Sequence, residues 1–168
     1  ISVDGEPGVP EQLPLPMVQD GSLSADGSRL AYVPNLKWQA AWKGYRGGQT
    51  TPILIATLAD SSVERVPRSN SNDSNPMWVG DTVYFLSDRD GAVSLYAYDV
   101  ATKAVRSVVR NTGLDLKSAS AGPGAVAASE QADGVISFDP RFLRAQGGNP
   151  EKCVVIWAHG DSMMPTIP

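Results

Sequence analysis

Short apolar runs, rich in β-branched and aromatic residues and cut by Gly, Pro, Asn, Asp and Ser, recur along most of this chain. Runs of four to eight such residues between turn formers suit a pleated sheet and are too short for stable helices. The pattern predicts strands at RLAYV (29–33), TPILIATL (51–58), DTVYFLS (81–87), AVSLYAYD (92–99), KAVRSVV (103–109) and CVVIWA (153–158). DRDG (88–91) stands between two of them and predicts a hairpin, and DVATK (99–103) predicts the next one. Helix is expected only in short pieces, at 37–43 and at 140–146. The second would start at Pro140 and stop at Gly147 and Gly148.

The runs repeat. GSRLAYVP (27–34) and GDTVYFLS (80–87) share an order of Gly, two polar residues, then apolar and aromatic positions. A weaker copy, GPGAVAAS (122–129), is followed by DGVISFD (133–139). Repeats of this length built from short antiparallel strands predict propeller blades, whose faces need neighbours to cover them. The stretch GLDLKSASAGPG (113–124) is small and polar and reads as a connection between blades. Past residue 139 the character changes, with a candidate helix and then a buried-type strand. The fold class expected is therefore all-β: a partial β-propeller of two to three antiparallel blades with a foreign C-terminal strand segment. The expected division is 1–132 for the blades and 133–168 for the C-terminal segment.

Composition narrows the function. The 168 residues are 42% hydrophobic and 19% charged, which fits a globular protein with a real core. Net charge is −4 and Lys and Arg form no cluster, so no nucleic-acid partner is expected. No stretch has the length of a membrane span, and no basic-then-apolar leader opens the chain. The opening ISVDGEPG reads as the interior of a longer sequence. The single cysteine, Cys153, excludes an intrachain disulfide and reads as a buried structural thiol. That usage fits a reducing compartment, and a cytoplasmic location is expected. No pattern calls for a cofactor or a metal.

A few residues are candidates for chemistry. Asp88, Arg89 and Asp90 suggest a metal or anion site, against a solvated hairpin tip with a local Asp–Arg pair, which is the reading favoured here. Trp38, Trp42 and Tyr45 form either a stacking patch or, as favoured, an excursion packed over a blade. Arg46 has the planar fork that reads a peptide carboxylate. Gly47 and Gly48 are not a phosphate loop, because no Lys-Ser/Thr follows them. Ser162, in HGDSMMPTIP, needs a base to become a nucleophile. Lys152 lies a strand's length away, and His159, the only histidine, has no third group to orient it.

Two resemblances follow from these motifs. SADGSRLAYVP, WKGYRGGQTTPILIATL, PMWVGDTVYFLSDRDG, LYAYDVATK and LDLKSASAGPGAV, in this order within residues 10–139, resemble the N-terminal propeller of tricorn proteases. Ala25 stands where that pattern usually has Pro. The resemblance implies a propeller that gates or channels peptides for a large cytoplasmic peptidase, with the catalytic residues in another domain. Residues 133–168 resemble the start of the peptidase domain of phage-type and LexA-like repressors, which are self-cleaving Ser–Lys enzymes. Gly160, Asp161, Ser162, Met163, Pro165 and Thr166 match its nucleophile motif, and Met164 departs from it. By that match Ser162 is the nucleophile, expected to be inactive without the family's lysine. The two resemblances together predict a recombined or artificial chimera, a non-enzymatic β scaffold. Its alternatives are a peptide-binding propeller fragment of a tricorn-type protease and an incomplete Ser–Lys peptidase. The expected partners are further copies of the chain and, for the second reading, peptides.

Overall fold

The computed structural model describes residues 12–36, 43–112, 115–122, 125–132 and 135–137. Eleven strands and no helix occur among them. In chain order they are β1 (Asp20–Leu23), β2 (Arg29–Val33), β3 (Leu54–Thr57), β4 (Val63–Arg65), β5 (Asp73–Val79) and β6 (Thr82–Ser87). They continue as β7 (Ser94–Asp99), β8 (Ala104–Val109), β9 (Leu116–Gly122), β10 (Ala125–Ala132) and β11 (Val135–Ser137). They make three antiparallel meanders: β1-β2-β3-β4, β5-β6-β7-β8 and β9-β10-β11. The all-β partial propeller read from the pattern is therefore present, as two four-stranded blades and the three described strands of a third.

The repeat marks the same place in each blade. Its three copies fall on β2, β6 and β10, the second strand of each meander. The glycine that opens the first two copies turns the chain into that strand: Gly27 and Gly80 have φ of 68° and 58°, where a Cβ is disfavoured. Ahead of β2, Asp26 closes the turn by accepting from the Ser24 and Ser28 hydroxyls at 2.6 and 2.8 Å. These bonds hold the Asp26 carboxyl down at about 2.

Alternation along the strands explains the stacking. Ala31, Val33, Ile53 and Ile55 of the first blade meet Trp78, Val83, Phe85, Tyr96 and Tyr98 of the second in one buried cluster. The opposite face of the second blade, through Met77, Leu86 and Leu95, meets Leu116 and Val126 of the third. Neighbouring positions on β6, Phe85 and Leu86, thus face different blades, as a two-residue period requires. The first blade's other face, Leu30, Tyr32 and Ala56, is covered in part by Leu15 from the segment before β1. The first strands lie together: β5 packs against β1 and against β9. The Trp78 backbone N–H donates to the Ser22 hydroxyl at 3.0 Å, tying β5 to β1. These strands form the blades' shared inner side.

The structure corrects two expectations. GLDLKSASAGPG is not only a connection: residues 116–122 form β9, paired with β10. Its small, polar composition hides the strand, whose stability comes from backbone pairing and from buried Leu116. Ser118, at φ 51°, lies where the β9–β10 register shifts between Ala127 and Ser129. The strand β5 was not expected, because SNDSNPMWV contains Pro76 and a polar run. It tolerates the proline at a bulge, where the register shifts between Ser74 and Met77 and Asn75 takes φ 49°. Strands near 29–33, 51–58, 81–87, 92–99 and 103–109 are found, with ends trimmed by up to three residues. The expected strand at 153–158 and helix at 140–146 lie outside the described residues, as does all but Lys43 of the expected helix at 37–43. The β10–β11 pair runs across residue 132, where the sequence reading divides the chain.

Candidate functional site

Residues 43–46, ahead of β3, contact the second and third blades. Lys43 pairs with Asp115 at 3.0 Å, and Arg46 with Asp88 at 3.0 Å. Arg46 also donates from Nη2 to the Asp88 carbonyl at 2.8 Å and from Nη1 to the Tyr45 carbonyl at 3.0 Å. Both terminal nitrogens are thus engaged, while the Arg46 side chain stays 39% exposed.

Asp88 organises what lies beneath. Its Oδ1 accepts the Asn72 backbone N–H at 2.8 Å, and its Oδ2 accepts Asn72 Nδ2 at 2.8 Å. Asn72 Nδ2 donates also to the Tyr45 carbonyl at 3.0 Å. One residue on, Asp73 is completely buried. Its Oδ1 accepts from the Ser71 and Ser87 hydroxyls at 2.9 and 2.6 Å. Arg89 reaches it at 3.4 Å while lying over the rings of Phe85 and Tyr96, at 5.0 and 4.8 Å from their centroids. The Tyr96 hydroxyl donates to Asp90 at 2.8 Å. Burial, reinforced by that carboxylate, pushes the Tyr96 phenol up to about 12.

The DRDG turn is therefore not a solvated tip with a local ion pair. Asp88 is buried, and Arg89 pairs with Asp73 rather than with Asp88 or Asp90. Only Asp90 of the three is exposed. Packing of the turn against Phe85 and Tyr96 supplies the difference, because an arginine stem and its planar head can cover aromatic faces while the head pairs inward. Asn72 and Asp73 were not singled out in the sequence. They sit in SNSNDSNP, whose composition reads as loop, and no spacing links them to Asp88 or Arg89. Among the described residues no group of three or more His, Cys, Asp or Glu is arranged to hold a metal ion. No helix there is long and apolar enough to cross a membrane. Trp38, Trp42, Cys153, His159 and Ser162 lie outside the described residues.

Two pockets flank this network. One, of about 370 Å³, is lined by residues of the first two blades, including Asp20, Val33, Asn72, Ser74, Asp88 and Val93. The other, of about 520 Å³, has Thr50, Arg65, Arg68 and Asn70 in its walls. Burial, with the like charges of Arg65 and Arg89 adding to it and Asp73 opposing, lowers the Arg68 guanidinium from its ordinary value. One pocket is thus rich in acceptors and the other in cationic donors.

Antiparallel meanders that bury each other's faces, with their first strands on a common inner side, define part of a β-propeller. The chain belongs to the tricorn protease N-terminal β-propeller domain family, whose model matches residues 1–139. It is 32% identical over 99 residues to a tricorn protease homolog of Saccharolobus solfataricus, covering 59% of this chain and 9% of that protein. It is 34% identical over 65 residues to the tricorn protease of Thermoplasma acidophilum, covering 39% of this chain and 6% of that protein. The crystal structure of the tricorn protease superimposes with a TM-score of 0.55 at 28% identity, over 64% of this chain and 10% of that one. The chain thus spans about a tenth or less of the relatives it matches. The family match ends before Ser162, and the comparisons lend no support to a repressor-type peptidase or to a spliced chain.

Proposed function

We propose that this chain is a non-catalytic propeller piece of a tricorn-type protease that guides peptides along the inner side of its blades. The observation that carries the reading is the family match over residues 1–139, to a propeller domain and not to a protease active site. The inner strands and the two pockets beside the Arg46–Asp88 pair supply surfaces of the right chemistry. An extended peptide offers N–H donors, carbonyl acceptors and a charge at each end. The partly exposed Arg46 guanidinium is the group proposed to meet its carboxylate. The described strands form two four-stranded meanders and a three-stranded one, whose unpaired outer faces and edges are the surfaces through which copies of the chain are proposed to associate.

A titration of a fluorescently labelled short peptide into the purified chain tests the reading. Saturable binding with a Kd of about 1 mM to 1 μM is expected, weakened several-fold by Arg46→Gln. Absence of saturable binding by the parent chain would remove it. Sedimentation of the same samples reads the association, and a monomer at every concentration would exclude self-assembly.

A further inference from the structure

The cationic pocket gathers two arginines that the described fold leaves without counter-ions. Leu54 opens β3 and Arg65 closes β4, and the two pair directly at one end of the first blade. Leu54 belongs to the face turned away from the second blade, and directly paired residues share a face, so Arg65 stands there too. Arg68 follows in the loop to β5 and is half-buried. Both arginines line the pocket, with Thr50 and Asn70 beside them.

The neighbouring arginines are matched: Arg46 has Asp88, and Arg89 has Asp73. Among the described residues no ion pair reaches Arg65 or Arg68, and no Asp or Glu lines the pocket. The Arg68 guanidinium carries five N–H donors, yet finds one side-chain acceptor there, the neutral Thr50 hydroxyl. That hydroxyl is held in place. It donates to Asn70 Oδ1 at 2.9 Å, while the Asn70 amide donates to the Arg46 carbonyl. Burial works against the Arg68 charge, and Arg65 and Arg89 add to it, with Asp73 opposing. Two guanidinium groups with no carboxylate between them call for an anion, and a dianion answers both charges where a monoanion answers one. Planar guanidinium forks suit the oxygens of a phosphate group. Such a group fills only part of a cavity of about 520 Å³, and Pro52 and Leu54 offer a wall to an organic group attached to it.

We propose that this pocket binds a phosphate monoester, with its dianionic phosphate between Arg65 and Arg68 and its organic group against Pro52 and Leu54. Nothing in this site depends on the peptide-guiding role proposed above.

Solution NMR of the full 168-residue chain at about pH 8, where a phosphate monoester is doubly charged, tests this at fixed ionic strength. The backbone amide of Arg68 and the side-chain amide of Asn70 are followed with phenyl phosphate, inorganic phosphate and benzoate as probes. Phenyl phosphate is expected to shift both signals saturably. Inorganic phosphate should bind several-fold more weakly, and benzoate about tenfold more weakly, the scale of one charge-assisted hydrogen bond. Arg65→Gln, at an exposed position, should weaken phenyl phosphate by about tenfold without changing the melting temperature. Arg68→Gln also removes the contact to Thr50, so its binding is read alongside its thermal stability. Arg106→Gln, exposed on β8 of the second blade, should leave binding unchanged. Equal weakening by Arg65→Gln and Arg106→Gln would report diffuse positive charge and overturn the site, as would no shift at Arg68 and Asn70 with either phosphate. Benzoate binding as tightly as phenyl phosphate overturns the dianion. Inorganic phosphate binding as tightly as phenyl phosphate keeps the phosphate site and refutes the ester as its source.

Discussion

Arg89→Ala destabilises the chain by about 3–5 kcal/mol, the scale of losing one partner of a buried ion pair. Asp73 is fully buried, and its Oδ2 accepts from Arg89 alone among the described residues, while the Ser71 and Ser87 hydroxyls serve Oδ1. Truncation leaves a buried carboxylate half served. It also strips the guanidinium from the faces of Phe85 and Tyr96, where it lies 5.0 and 4.8 Å from the ring centroids. Replacing both charges, as Arg89→Met with Asp73→Asn, should recover much of the loss, since the stem still covers the rings and no charge is stranded. Urea denaturation of the single and double variants checks this. Additive losses in the two would show that the pair is not coupled.

Phe85→Ala is expected to cost about 3–5 kcal/mol as well, by a different route. Phe85 has no exposed surface and sits in the cluster shared by the first two blades, stacked on Tyr96 with ring centroids 6.0 Å apart. The cavity would open between blades rather than inside one. Amide exchange should therefore quicken on β2 and β3 as well as on β6, while protection of the β9–β10 pair changes less. A loss confined to the second blade would mean that the blades do not depend on this contact. Either substitution removes a large share of the roughly 5–15 kcal/mol that holds a domain of ordinary stability.

The blades were legible where the chain alternates. RLAYV, DTVYFLS and AVSLYAYD put an apolar residue on every other position or on both faces, and β2, β6 and β7 stand there. Strands that owe their state to a neighbour were not legible. Asp20–Leu23 is four mostly polar residues, Val63–Arg65 is three, and Leu116–Gly122 is mostly Ser, Ala and Gly. Their backbones are held by β2, β3 and β10, which composition does not report. The polar network was half legible. Arg46, Asp88 and Arg89 stood out by type, but their partners did not. Arg46 meets Asp88 across 42 positions and Arg89 meets Asp73 across 16, distances that only the fold sets. The resemblance to tricorn propellers succeeded because it rested on several motifs in order. The repressor-like motif at Ser162 was short and terminal, and the comparisons did not extend it.

The proposed role is to handle peptides without cleaving them. Its most direct test is one incubation of the purified chain with a defined peptide mixture and a fluorophosphonate serine probe, read by mass spectrometry. Every peptide is expected at its starting mass, with no serine labelled. Peptide cleavage together with labelling of Ser162, both abolished by Ser162→Ala, would contradict it.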